Sequence, residues 1–134
     1  MALMKSIATR RATRKILLSI GLLLLFSIII GCGAMSLKKK INSSVVKIEE
    51  IVGEFNDRVN EQDTRELGNM SYNKYVLSVR QKIIHIQDSI KMRISTLPQT
   101  SKDELNVYYK DKFNDLYSRL RIKYPMAMEQ LQLE

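Results

Sequence analysis

The sequence has a single cysteine, two prolines and no tryptophan among its 134 residues. Cys32 lies inside an apolar run, so the residues after it can form no disulfide and no cysteine-based metal site. The one histidine, His85, has no second histidine or cysteine near it, and glycine-rich phosphate loops and metalloprotease motifs are absent. The sequence therefore predicts a protein that is not an enzyme, with no catalytic residue, no metal and no cofactor.

Acidic residues are missing from the first 40 positions. Residues 1–15 hold five cations and no acid, whereas all 14 acidic residues follow Lys40. From Lys38 onward, 17 basic residues face 14 acidic ones, so the net charge of +8 belongs mainly to the N-terminal head. No zinc-finger spacing or aromatic RNA-binding motif accompanies this charge, and the predicted partners exclude nucleic acid.

Residues 16–37 contain no charged side chain and are apolar over nearly their whole length. A helix of about 20 such residues spans the roughly 30 Å hydrocarbon core of a bilayer. Lys15 precedes the run and Lys38 to Lys40 follow it. The pattern predicts a transmembrane signal anchor in a bacterial-type inner membrane. The five cations of the head favour a cytoplasmic N-terminus and an extracytoplasmic C-terminal domain.

A second interpretation of the same run is a lipoprotein signal. The segment Ile29-Ile30-Gly31-Cys32 resembles the bacterial lipobox, whose cysteine becomes the lipidated N-terminus. Residues 16–30 would then be the apolar core of a signal peptide. Apolar character continues past Cys32 through Leu37, which favours the uncleaved anchor. Cys32 is therefore a candidate lipidation site, and under either interpretation the lipid bilayer is a partner.

A heptad pattern follows the apolar run. Its six positions, spaced alternately four and three residues apart, are Ile41, Val45, Ile48, Val52, Phe55 and Val59. This spacing predicts a helix that packs along its whole length, ending near Glu66 with Gly68 as its cap. The seam has two candidate uses: packing inside the chain, which we favour, or association with a second copy or another protein.

Two further helices are predicted from apolar stripes of helical spacing. The second stripe runs from Tyr72 to Leu97, where Pro98 stops the helix, with Leu77 and Ile84 expected to widen its buried face. A capping box at Ser101 and Glu104 is expected to open the third helix, which Pro125 ends. The six tyrosines are expected to pack in the core with their hydroxyls at its rim. They are Tyr72, Tyr75, Tyr108, Tyr109, Tyr117 and Tyr124.

These elements predict an all-α protein: an N-terminal transmembrane helix followed by a small antiparallel three-helix, up-down bundle or coiled coil. The expected divisions are a basic cytoplasmic head (1–15), the signal anchor (16–37, or a lipoprotein signal to Cys32), an extracytoplasmic bundle (38–125) and a short tail (126–134).

The junction Ser36-Leu37-Lys38-Lys39-Lys40-Ile41-Asn42-Ser43-Ser44 resembles the point where chemoreceptor-type sensors pass from their first membrane helix into an extracytoplasmic four-helix bundle. The resemblance covers residues 16–44 and implies a free-standing relative of the sensory bundle, without output parts. Tyr72-Asn73 and Tyr124-Pro125 also resemble signatures of the LemA family of anchored helical proteins.

The predicted function is interaction, scaffolding or sensing at the membrane, through a protein partner or through self-association of helix faces. Two alternatives stay open at this point. One is a lipoprotein, anchored at Cys32, that serves as an envelope or complex accessory subunit. The other is an enzyme subunit whose site a partner completes.

Overall fold

The computed structural model describes residues 2–61 and 70–133, the side chains of residues 2–12, 14, 26–31, 61 and 70 excepted. Within these ranges the chain forms four helices and no strand: α1 (Ala2–Glu61), α2 (Met70–Ser95), α3 (Gln99–Lys123) and α4 (Pro125–Leu131). The predicted all-α class is confirmed. The expected end of the first helix near Glu66 and its cap at Gly68 lie outside the described residues.

The chain divides into two compact units, Met1–Met35 and Ser36–Glu134, and the division falls within α1. In the first unit, large aliphatic side chains at eight positions between residues 16 and 25 are exposed, from 49% at Ile20 to 73% at Leu18. In the part of the chain described, which leaves out the side chains of residues 26–31, no helix is long and apolar enough to cross a membrane.

The second unit is built on three apolar stripes that meet in one core. In α2 the buried positions recur at helical spacing, at Tyr72, Val79, Ile83, Ile90 and Ile94. Leu77 and Ile84, expected to widen this stripe, are instead 53% and 39% exposed. They lie on the side of α2 that turns away from the core, so α2 is buried on one face only.

Polar contacts between helices show the direction in which each one runs. Lys38 pairs with Glu104 and Arg119 pairs with Glu49, so residue numbers rise together along α1 and α3, which are parallel. Near the end of α1, the ring of Phe55 stacks on that of Tyr75 at the start of α2, with centroids 5.7 Å apart. The helix α2 therefore runs antiparallel to both neighbours, as a short connection to α3 requires.

The start of α3 differs from the prediction. The helix begins at Gln99 after Pro98, and no side chain caps it. The Pro98 carbonyl accepts the first-turn bond from the Lys102 N–H, and the proline ring holds φ at −56°, close to the helical value. Ser101 therefore lies inside the helix and does not cap it, and Glu104 is paired with Lys38 of α1. Proline thus opens α3, while α2 has already ended at Ser95.

Most of the expected short tail (126–134) is helical, because residues 125–131 form α4. Pro125 occupies the first turn, and the preceding Tyr124 leaves helical geometry while its N–H still donates to the Leu120 carbonyl. Three apolar side chains of α4 are buried, at Ala127, Met128 and Leu131, and Leu133 just after the helix is buried as well. The helix packs against α2 and α3, so a fourth element completes the predicted three-helix core.

Candidate functional site

All six residues of the predicted heptad seam lie in the core of the second unit. Ile41, Ile48, Val52 and Phe55 are fully buried, and Val45 and Val59 are 9% and 8% exposed. A second chain reaches this seam only if helices of the same chain move away. Association of two copies through these residues stays a prediction.

Cys32, the candidate lipidation site, lies in the first unit with its thiol exposed. Its neighbours Gly33 and Met35 are also exposed, so the side of α1 that carries the cysteine has open space around it. At Gly33 a β-carbon would meet no atom within 4 Å. Lipidation of Cys32 stays a prediction.

Three tyrosine hydroxyls are buried, contrary to the expectation that they would sit at the rim. These are the hydroxyls of Tyr72, Tyr109 and Tyr117. On α3 the rings of Tyr109, Phe113 and Tyr117 follow one another at four-residue spacing, with centroids 4.4 and 6.1 Å apart. This spacing puts all three rings on one helix face, which is buried in the core together with the Tyr109 and Tyr117 hydroxyls.

Burial changes the acidity of these tyrosines. Loss of hydration raises the pKa of Tyr109 to about 12, and the Gln87 side chain beside its hydroxyl partly opposes that rise. Burial raises the pKa of Tyr117 further, and the nearby Tyr109 adds to the effect. Both hydroxyls are therefore protonated at neutral pH and unsuited to proton transfer there.

A cleft lies between α2 and the C-terminal residues of the second unit, and the sequence did not predict it. It has a volume of about 440 Å³ and is lined by Arg80, Ile84, Gln87, Gln132 and Leu133. The Arg80 guanidinium donates to the Gln132 side-chain oxygen at 3.3 Å, and Gln132 has a left-handed backbone with φ of 48°. We name this surface the C-terminal cleft.

The C-terminal cleft is lined by one guanidinium, two side-chain amides and the apolar side chains of Ile84 and Leu133. Such groups hydrogen-bond to carboxylates and to peptide amides, but they include no nucleophile and no general base. Among the residues that the structure describes, no three His, Cys, Asp or Glu side chains are arranged to hold a metal ion. The groups that line the cleft are therefore suited to hydrogen-bonding a ligand. The cleft forms only because α4 docks on α2 and α3 and thereby places Gln132 and Leu133 beside α2.

Charge is segregated along α1 of the second unit. Between Ser36 and Ile48 the helix carries four lysines and no acid, whereas Glu49 to Glu61 contain five acids and one arginine. The last turns of α3 bring cations to this acidic half. Arg119 contacts Glu49 at 3.1 Å and Lys123 contacts it at 4.0 Å. The hydrogen bonds that Arg119 donates to Asp115 and then to Glu49 raise the pKa of its guanidinium.

The opposite end of the second unit is less well neutralised. Here lie the first residues of the second unit and the α2–α3 turn, and Lys38 of α1 pairs with Glu104 of α3. Lys39, Arg93 and Lys102 form no ion pair with any carboxylate in the described part of the chain. We call residues 36–42 together with residues 91–104 the lysine-rich end.

No known family model matches this chain, and no curated protein or solved structure matches it. The resemblances to chemoreceptor-type sensors and to the LemA family therefore stay predictions. The functional conclusion depends on the geometry and the residue pattern alone.

Proposed function

We propose that this protein is a membrane-anchored helical bundle whose C-terminal unit lies outside the cytoplasm and acts by interaction, scaffolding or sensing. The observation that carries the proposal is the side-chain exposure in the first unit. Ile16, Leu17 and Leu18 are 58–73% exposed, and Leu22 to Leu25 are 59–68% exposed. Successive residues of a helix are about 100° apart, so these two runs of three and four residues together cover every side of α1.

A helix that is apolar on all sides needs an apolar surrounding, either a protein core or a bilayer. In water such a surface costs free energy in proportion to its area and promotes aggregation. The sequence continues the apolar character from residue 26 to Leu37 and adds no charge. A bilayer is the surrounding that accommodates an uncharged run of this length.

The second unit supports a binding role in place of a catalytic one. Its buried tyrosines hold their protons at neutral pH, and the C-terminal cleft presents hydrogen-bonding groups without a nucleophile. Its surface also carries exposed ion pairs, which contribute little to stability. A small stable unit of this kind is suited to presenting a surface to a protein partner next to a membrane.

Alkaline extraction of membranes tests the anchor. The full chain should stay in the membrane pellet at high pH, whereas a Leu18→Arg, Leu23→Arg variant should be released, because two cations in the bilayer core oppose insertion. A Val46→Arg, Val107→Arg variant is the matched control, since these two side chains are exposed in the second unit. Release of the unaltered chain would contradict the proposal.

Reporter fusions test the orientation. A phosphatase that is active only in the periplasm, joined after the last residue, should be active, and a fluorescent protein that matures only in the cytoplasm should be dark. The reverse pattern would place the bundle inside the cell. Removing the five head cations should weaken the preference, because they oppose the three lysines at positions 38–40.

The exposed Cys32 thiol keeps the lipoprotein as a second candidate. If Cys32 is acylated, cells fed a palmitate analogue should label the protein, and its intact mass should lack residues 1–31. Both effects should vanish in Cys32→Ser. A full-length, unlabelled protein would exclude the lipoprotein and leave the spanning helix.

A further inference from the structure

The lysine-rich end is one continuous surface, although its residues come from two separate parts of the sequence. Two contacts join them: Lys38 with Glu104, and the Tyr108 hydroxyl, which donates to the Asn42 side-chain oxygen at 2.9 Å. These contacts fix residues 38–42 of α1 beside the start of α3. The α2–α3 turn, which directly precedes α3, therefore lies at the same end of the unit.

Six cations and two carboxylates occupy the lysine-rich end, a net charge of +4. Both carboxylates are engaged within the chain, because Glu104 pairs with Lys38 and Asp103 accepts from the Gln99 side-chain amide at 2.8 Å. The cations are Lys38, Lys39, Lys40, Lys91, Arg93 and Lys102. Several of them are therefore available to an external anion.

Apolar groups lie among these cations. Met92, beside Arg93, is 71% exposed, and Leu97 is half-buried next to the exposed Pro98. Exposed apolar side chains surrounded by cations are typical of surfaces that rest in the headgroup region of a bilayer. Lysine side chains suit this position because their stems lie along apolar surface while the ammonium reaches the phosphates.

The opposite end of the unit does not have this character. There residues 49–61 of α1 carry five acids and one arginine, and Glu49 is paired with Arg119 and Lys123 of α3. The exposed apolar residue at that end is Met126, which follows Pro125. The positive charge is thus concentrated at the end where the chain passes from the apolar run into the second unit.

We propose that the lysine-rich end binds the acidic phospholipid headgroups of the membrane that holds the anchor. This inference rests on the proposed function, because the apolar run ends at Leu37 and chain connectivity keeps Lys38 to Lys40 within a few residues of the bilayer. Attraction between these cations and acidic headgroups acts over a Debye length, about 8–10 Å at physiological salt. Glu104 holds the α2–α3 turn beside Lys38, so the cations of that turn belong to the same surface as Lys38 to Lys40.

Headgroup binding limits the positions that the bundle takes at the membrane. The side surfaces of the unit, including the C-terminal cleft formed with α4, then point away from the lipid and stay open to a protein partner. Acidic lipid then helps to orient the surface that binds a partner, in addition to surrounding the anchor.

The test uses the full chain in vesicles of neutral phosphatidylcholine, with or without one-third phosphatidylglycerol. An environment-sensitive fluorophore is attached at Met92→Cys in a Cys32→Ser background, with Met126→Cys as the matched probe position. In acidic vesicles the probe at position 92 should shift to shorter wavelength and show about threefold less quenching by acrylamide, and 0.5 M salt should reverse both effects. The probe at position 126 should respond equally in both kinds of vesicle.

Charge reversal supplies the matched variants. Lys39→Glu with Arg93→Glu should abolish the lipid-dependent shift, whereas Lys74→Glu with Lys82→Glu, which changes the net charge equally at other exposed positions, should preserve it. Circular dichroism verifies that each variant is folded. If the first pair is not folded, Lys39→Gln with Arg93→Gln takes its place and should reduce the shift.

The outcomes separate the two proposals. A chain that floats with both kinds of vesicle but gives the same signal at position 92 in each would overturn headgroup binding and leave the anchor intact. Equal loss in both charge-reversed pairs would also overturn it, since general basicity would then suffice. A chain that floats with neither kind of vesicle would overturn the anchor and this inference together.

Discussion

Gly53 of α1 and Tyr124 at the end of α3 are in direct contact: a β-carbon placed on Gly53 would lie 3.3 Å from the Tyr124 hydroxyl oxygen. Glycine at this position lets the tyrosine ring lie against the helix backbone. Tyr124 is also the residue at which α3 ends and α4 begins. The contact therefore fixes the point where the chain turns from α3 into α4 against the last turns of α1.

The first prediction concerns Gly53. Gly53→Leu should lower the free energy of unfolding by about 1–3 kcal/mol, because the larger side chain displaces Tyr124. Gly53→Ala should change it by less than about 1 kcal/mol, since better helix propensity offsets a small shift of the hydroxyl. Denaturation in detergent micelles, followed by circular dichroism, measures both. Adding Tyr124→Ala to Gly53→Leu should recover part of the loss; strict additivity would argue against the contact.

The second prediction concerns the seam on α1. Val52→Asp should cost about 3–5 kcal/mol of stability, because Val52 is fully buried and the carboxylate would have no partner. Val46→Asp, at a 56% exposed position of the same helix, should stay within about 0.5 kcal/mol of the unaltered chain. Melting curves and the mass in solution of all three proteins decide the matter. Identical behaviour of Val52→Asp and Val46→Asp would place Val52 on the surface.

The third prediction concerns α4. Leu131→Ala should destabilise the bundle by about 2–5 kcal/mol, because Leu131 is fully buried and its loss leaves a cavity. Met126→Ala is the control at a 53% exposed site and should have a small effect. Hydrogen exchange gives a second measurement, since amides at the end of α3 should lose protection only in Leu131→Ala. Equal stability of the two variants would show that α4 does not belong to the core.

The fourth prediction concerns alkaline pH. The unfolded chain releases a tyrosine proton near pH 10, whereas folded Tyr109 holds it to about pH 12. The folded state therefore binds more protons in this interval, and stability should fall as the pH rises from 10 towards 12. The loss is about 1.4 kcal/mol for each unit of difference in pKa. Tyr109→Phe with Tyr117→Phe should flatten the dependence between pH 10 and 12, and an unchanged slope would show that neither hydroxyl is buried.

Much of the fold follows from local patterns in the sequence. The apolar stripes of α2 and α3 have the 3.6-residue period of helices that are buried on one side, and proline marks where α3 begins and ends. The 60 residues of α1 contain no proline, which is compatible with one continuous helix through both the apolar run and the heptad pattern. These features depend on neighbours within one or two turns, so sequence alone determines them.

Other features depend on which helices meet, and only the tertiary structure decides them. Nothing local shows that Glu104 pairs with Lys38, 66 residues away, in place of capping its own helix. Burial of the Tyr109 and Tyr117 hydroxyls depends on how far neighbouring helices cover α3, and α4 is stable because α2 and α3 together accept its few apolar side chains. The amino-acid sequence determined the helices, the apolar run and the asymmetry of charge. Long-range packing, whose free energy is shared among many distant residues, decided the C-terminal cleft and the lysine-rich end.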